Sequence, residues 1–305
     1  MQSLPSKPKP KPKPSWHHSY AATGTTWHID GYDEISDDDR ARLTQAIDRR
    51  SQEFEHTYSR FRDDSFVAQL AREAGTYPLP PDATPMFDLY HELYGVSGGL
   101  LTPLIGQTLV DAGYDAKYSF QPKPTIGLPP KWEDVIDYRA GSDSLTMKQP
   151  AQLDFGAIGK GYLVDLIATL IHEAGIAGFC IDAGGDIYSC HPSEPLVFGL
   201  ENPEREGEII GTATLQRGSL CGSSGNRRRW SQYHHVINPY TGRSPQDIRA
   251  IWVTADAARL ADALATCLYF VPAAILKKRY TFEYILVMHD GSAELSPDFP
   301  GQLFT

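Results

Sequence analysis

The sequence predicts an α+β fold, on three observations. Stretches with helical period are interspersed with short apolar runs, and the two kinds of segment do not alternate strictly as they do in a doubly wound sheet. The chain has 305 residues, enough for a sizeable core in one large domain or two closely joined lobes. Its 26 glycines and 23 prolines break the chain too often for a coiled coil and are too few for collagen.

Taken in chain order, residues 5–14 alternate lysine with proline. Proline forbids helix and like charges repel, so a disordered leader is expected over residues 1–20, ahead of a single domain over 21–305. A weak tether to anionic surfaces is the alternative for that leader. Ser36, with Asp37, Asp38 and Asp39 behind it, reads as the N-cap of a long helix whose apolar face is Leu43, Ile47, Phe54, Tyr58 and Phe61. Prolines at 122, 124, 129 and 130 mark a surface connection. A second helix is expected from about Lys160 through Leu163, Leu166, Ile167, Leu170 and Ile171 to Gly175, which suits a C-terminal cap. A strand follows at Gly178-Phe179-Cys180-Ile181. Further on come a strand within 245–254, a helix over 257–270, and a strand over 282–288 before the turn Asp290-Gly291.

Composition excludes several functions. The net charge is −10, and the lysines of the leader make the remaining body more acidic still, which argues against a sequence-independent nucleic-acid binder. Cys180, Cys190, Cys221 and Cys267 have no C-x-x-C spacing and read as reduced. The longest uncharged stretch, residues 93–110, is cut by four glycines and Pro103, so no membrane helix is expected. The amino terminus has no apolar stretch with a cleavage site, and the expected location is cytoplasmic.

Four segments carry the residues of chemistry. In Asp154-Phe155-Gly156-Ala157-Ile158-Gly159-Lys160-Gly161, three glycines precede a helix whose free N–H groups favour an anion; a tight loop-to-helix turn is the plainer reading. It is neither a Walker A nor a Rossmann loop, since the glycine and lysine order is wrong for both. Asp182-Ala183-Gly184-Gly185-Asp186 sits at a strand end, as a ligand loop or a hairpin turn. The third segment combines Ser223 and Ser224 with Arg227, Arg228 and Arg229 and the pair His234-His235, types that suit an anionic ligand and a proton acceptor, or a solvated charged loop. Asp262 and Thr266 stand four apart on a helix and so share a face, as two oxygen ligands for Mg²⁺ or as an exposed acid and a locally bonded hydroxyl.

In this order and spacing the segments resemble the ApbE family of FAD:protein FMN transferases. The likeness runs from Gly24-Thr25-Thr26-Trp27 through Tyr58-Ser59-Arg60-Phe61, the stretch Gly98-Gly99-Leu100-Leu101-Thr102-Pro103-Leu104, and on to about Gly291. The resemblance implies two interlocking α/β lobes with a flavin-binding cleft between them. It implies that the Ala157 carbonyl, Asp262 and Thr266 hold Mg²⁺ against the FAD pyrophosphate, with Asp182 or Asp186 behind them. Cofactor contacts are expected from Tyr58, Asp154, Lys160, Asp182, Gly184, Gly185, Ser223 and His235, and catalytic roles for His235 and Asp262. Two departures stand out: the family's His-x-x-Asp-Pro is here His235-Val236-Ile237-Asn238-Pro239, and Thr102 takes a place where an acid is frequent.

The implied reaction is Mg²⁺-dependent cleavage of FAD, with FMN passing to a threonine of an acceptor flavoprotein and AMP released. The alternatives are Mg²⁺-dependent hydrolysis of FAD to FMN and AMP, and a flavin-binding module without turnover.

Overall fold

A computed structural model of the chain describes residues 12–225 and 229–304. Its centre is an eight-stranded antiparallel sheet in which every strand pairs with the next in the chain: β1 (Trp16–Ala22), β2 (Thr25–Gly31), β3 (Phe179–Asp182), β4 (Asp186–Cys190), β5 (Arg217–Ser224), β6 (Ile248–Ala255), β7 (Glu283–Met288) and β8 (Ala293–Leu295). The helices are inserted between neighbours. The longest excursion, between β2 and β3, carries α1 (Asp37–Tyr58), α2 (Thr84–Val96) and α3 (Gly159–Glu173), while α4 (Ala258–Cys267) lies between β6 and β7.

The middle of the sheet is buried on both faces, which is why strands such as β3 and β7 read as short apolar runs without alternating polarity. Phe179, Ile181, Tyr188, Cys221, Ile251, Val253, Tyr284 and Leu286 belong to the main core with the helices. Their neighbours Cys180, Ile187, Leu220, Ala250, Trp252, Ile285 and Val287 face the other way, onto Leu196, Phe198, Leu200, Ala213 and Leu215 of a small three-stranded sheet. A third apolar cluster gathers Leu109, Tyr114, Trp230, Tyr233 and Ile237.

The expected elements appear with small shifts. The Ser36 hydroxyl accepts from the Asp39 amide at 3.1 Å and starts α1, whose buried face is Leu43, Ile47, Phe54 and Tyr58. Phe61 lies past the end of that helix. Gly175 follows α3 with φ of 82°, the left-handed cap expected of it. All four cysteines are free and buried.

The expected disordered leader of residues 1–20 overlaps a strand. Residues 1–11 lie outside the described residues, but β1 begins at Trp16, so residues 16–20 are strand. Tight pairing with β2 through a turn at Thr23 and Gly24, both at positive φ, holds it there. Trp16 is buried, and His18 bonds Asp48 at 2.8 Å. Among the described residues, no helix is long and apolar enough to cross a membrane.

Candidate functional site at the contact of α3 and α4

Gly161 lets two helices touch. A Cβ there would lie 2.3 Å from the Ala258 carbonyl oxygen and 2.7 Å from the Asp262 Cβ, so only glycine permits this spacing. At the contact each helix caps the other: the Gly161 amide donates to Asp262 Oδ2 at 2.9 Å, and Asp165 of α3 accepts from the Ala258 amide at 2.7 Å and the Arg259 amide at 3.2 Å. Such capping satisfies helix N–H groups that would otherwise be buried unpaired.

On α4, Asp262 and Thr266 keep part of their surface while Ala261, Ala263, Leu264 and Ala265 are buried, so the two oxygens expected to share a face do share the open one. Across from them stands a cluster of charge. Asp186, only 1% exposed, pairs with the Lys160 ammonium, and neither of its oxygens has a well-directed hydrogen bond. Burial, and then the charge of Asp186, push the Asp262 carboxyl well above the ordinary carboxylate range. Burial opposes the Lys160 charge, but Asp186 and Asp262 outweigh it and raise the ammonium above its usual value. Two acids face one lysine here.

The loop of residues 154–158 is held from three sides. Arg60, nearly buried, donates to Asp154 Oδ2 at 2.5 Å and to the Tyr114 carbonyl at 2.7 Å. The other Asp154 oxygen takes the Gly156 amide at 2.8 Å. Tyr90, fully buried on α2, points its hydroxyl at the Asp154 carbonyl 3.5 Å away and faces both the Ala157 backbone and Asp262. Arg60 belongs to the Tyr58-Ser59-Arg60-Phe61 stretch of the likeness, which by itself gives it no role, and a tyrosine in a helical pattern such as Tyr90 carries no local signal.

Several expected ligand contacts are engaged elsewhere. Tyr58 is a core residue, 5% exposed, with its ring against Phe54 and Phe155 and its hydroxyl on Asp82 at 2.5 Å; it offers a flavin no face. Asp154 spends both oxygens on holding its own loop. Asp182 accepts from the Gly185 amide at 2.9 Å and shapes the turn. Gly184, at φ 68°, is required by Thr25, whose Oγ1 would stand 2.2 Å from a Cβ; the close approach is internal, to the Gly-Thr-Thr-Trp motif. Gly185, at φ 100°, gives its carbonyl to the Gly222 amide at 3.2 Å. Ser223 is partly exposed on β5, beside the Tyr269 hydroxyl. Asn226, Arg227 and Arg228 lie outside the described residues.

The adjacent histidines separate. His234 is buried, its Nε2 on the Pro245 carbonyl at 2.8 Å and its Nδ1 by the Val236 amide at 3.3 Å, a pattern that only the neutral ring satisfies. Burial holds it below its ordinary value of 6.5. His235 keeps part of its surface. Asn238 is a turn cap: its Oδ1 accepts from the Tyr240 amide at 2.9 Å and the Thr241 amide at 3.3 Å, as an aspartate oxygen would. Thr102 does the same for the short helical turn Pro103–Ile105, accepting from the Leu104 amide at 3.2 Å.

Among the described residues, no three His, Cys, Asp or Glu side chains form a metal-binding group. A set made of the Ala157 carbonyl, Asp262 and Thr266 contains only one such side chain. Two cavities open elsewhere, one of about 730 Å³ by Arg217, Ser219 and Thr254, and a small one by Arg229, Arg249 and His289.

Fold and site together define a class: α+β proteins in which two mutually capped helices lie on a sequentially ordered antiparallel sheet and enclose two acids and a lysine. Within it the chain belongs to the ApbE family, whose model matches residues 23–283. A relative named FAD:protein FMN transferase from Treponema pallidum is 27% identical over 246 residues, covering 72% of this chain and 68% of that protein. Another of that name from Rhodobacter capsulatus is 26% identical over 209 residues, which are 63% of this chain but only 39% of the longer relative. The crystal structure of the ApbE protein from Thermotoga maritima matches with a TM-score of 0.78 at 19% identity, covering 92% of this chain and 97% of that one. That likeness is one of fold.

Proposed function

We propose that this chain is a transferase that cleaves FAD and attaches FMN to a threonine of an acceptor flavoprotein, with Mg²⁺ required and AMP released. Family membership and the names of the relatives support the transferase reading. The observation that supports the local chemistry is the 2.9 Å bond between Gly161 and Asp262, which joins the end of the glycine loop to the Asp262 carboxylate of α4.

The residues fit a hard divalent cation. A carbonyl, a carboxylate and a hydroxyl are the oxygen types Mg²⁺ takes, with substrate phosphates and water completing the shell. Asp186 and Asp262 set two acids against the single Lys160, an excess of acid that such an ion balances. Ala157, Asp262 and Thr266 would hold it, and it would supply charge neutralisation at the pyrophosphate, worth several kcal/mol.

The protein's own groups do the rest. Lys160 stays charged at the start of α3, where it limits repulsion between Asp186 and Asp262. His235, the partly exposed member of the pair, takes the proton of the acceptor hydroxyl as its oxygen bonds to the FMN phosphorus, and the bond from that phosphorus to the AMP oxygen breaks. Ser223 lies near the end of β5, partly exposed, and is available to a phosphate there. Tyr58, Asp154, Asp182 and Gly184 act by building the walls.

The test is incubation of the protein with FAD, Mg²⁺ and a candidate acceptor flavoprotein bearing a threonine target, followed by flavin fluorescence of the denatured acceptor. A covalent fluorescent acceptor supports transfer. Free FMN and AMP without an acceptor indicate hydrolysis, and intact FAD indicates a binding module.

A further inference from the structure

Arg60 reaches the glycine loop from outside it. It stands two residues past the end of α1, and its side chain is only 3% exposed. Its Nε donates to Asp154 Oδ2 and a terminal nitrogen donates to the Tyr114 carbonyl at 2.7 Å. The guanidinium lies 4.2 Å over the Phe61 ring and 5.0 Å from the centre of the Tyr114 ring. One planar fork thus joins two segments far apart in the chain, and the flanking rings fix its orientation.

Each end of the fork leads to a part of the site. On the loop side, the second Asp154 oxygen takes the Gly156 amide at 2.8 Å, and Gly156 directly precedes Ala157. A Cβ at Gly156 would stand 2.8 Å from that same oxygen, so the chain wraps closely round the carboxylate that Arg60 holds. On the other side, the Tyr114 ring lies 5.6 Å from Trp230, whose indole nitrogen donates to the Ala112 carbonyl at 2.6 Å. Trp230 stacks at 6.2 Å on Tyr233, the residue before His234 and His235.

We propose that Arg60 is a positioning residue: acting through Asp154, it fixes the Gly156-Ala157 segment against the aromatic cluster that carries the histidine pair. The role needs a guanidinium. A lysine keeps the charge, but its ammonium has no planar fork to serve the carboxylate and the Tyr114 carbonyl together. The proposal rests on the transferase reading for what the loop is positioned to bind, and on the geometry around Arg60 for the positioning itself.

The variants are Arg60→Lys and Asp154→Asn, the second having one acceptor oxygen where the carboxylate has two. Amide hydrogen exchange on the full chain without ligand reads the loop directly. Peptides covering residues 154–159 should exchange about tenfold faster or more in each variant, while those of β3 to β6 keep the wild-type rate. The double variant should exchange no faster than the single ones, because both cut the same link. In FAD cleavage, the Mg²⁺ concentration giving half the maximal rate should rise about tenfold in Arg60→Lys, with a smaller fall in the maximal rate. Wild-type loop exchange in Arg60→Lys, additive effects in the double variant, or acceleration spread evenly over loop and sheet would each overturn the positioning role. Absence of FAD cleavage by the wild type would sink the transferase reading, and the exchange pattern would still decide the role of Arg60.

Discussion

Asp165 and Asp262 are reciprocal: each carboxylate sits on one helix and caps the amides at the start of the other, Asp165 on Ala258 and Arg259, Asp262 on Gly161. A helix pair joined this way cannot slide without losing buried hydrogen bonds. The loop that carries Ala157 and the face that carries Thr266 therefore keep their relation before any ligand arrives, which is the preorganisation that electrostatic catalysis requires.

Replacing Asp165 tests the clasp without touching the proposed cation ligands. Asp165→Ala leaves two buried amides unpaired and Arg259 without its carboxylate, and should cost about 2 kcal/mol. The check is the urea midpoint at unchanged slope.

Gly161→Ala has a steric consequence. Its methyl group meets the Ala258 carbonyl oxygen and Asp262, so α3 and α4 must part, at about 1–3 kcal/mol. Flavin turnover should fall further than the melting temperature alone explains, as measured by FAD cleavage below the unfolding range.

The two histidines should behave oppositely. His235→Ala should leave the melting temperature near that of the wild type and reduce transfer by about 10²–10⁴-fold. His234→Gln should destabilise the fold. Because burial lowers the His234 value below 6.5, the unfolded chain binds the proton first. Stability contributed by the neutral ring is present above pH 6.5 and is lost as pH falls from there through the folded value. Thermal melts between pH 8 and pH 5 should show this acid loss in the wild type and less of it in His234→Gln.

Asn238→Asp should be silent in melting temperature and in turnover, because Oδ1 caps the Tyr240 and Thr241 amides with either side chain. Asn238→Ala should cost about 1 kcal/mol.

Helices α1 and α3 are legible because they are long, periodic and capped, as Ser36 and Gly175 show, while α4 is legible from its apolar period alone. The strand pair β1 and β2 was not read as strands. It follows a lysine-proline run that signals disorder, and only its pairing onto β3 makes it part of the sheet. At the site, the resemblance implies that Ala157, Asp262 and Thr266 converge, and the observed link between their segments is the hydrogen bond from the Gly161 amide to Asp262. Asp154, Asp182 and Gly184 also have internal contacts that motif reading does not show, with a loop, a turn and Thr25. A motif states that a residue type is needed, and only contacts state for what.

The most direct measurement is the rate of AMP release from FAD titrated with Mg²⁺, in the wild type and in Asp262→Asn. The account predicts a saturable dependence on Mg²⁺ in the wild type, abolition by chelator, and a rate at least about 10²-fold lower in the folded variant at every Mg²⁺ concentration. A wild-type rate indifferent to the chelator, or a variant as fast as the wild type, would contradict it.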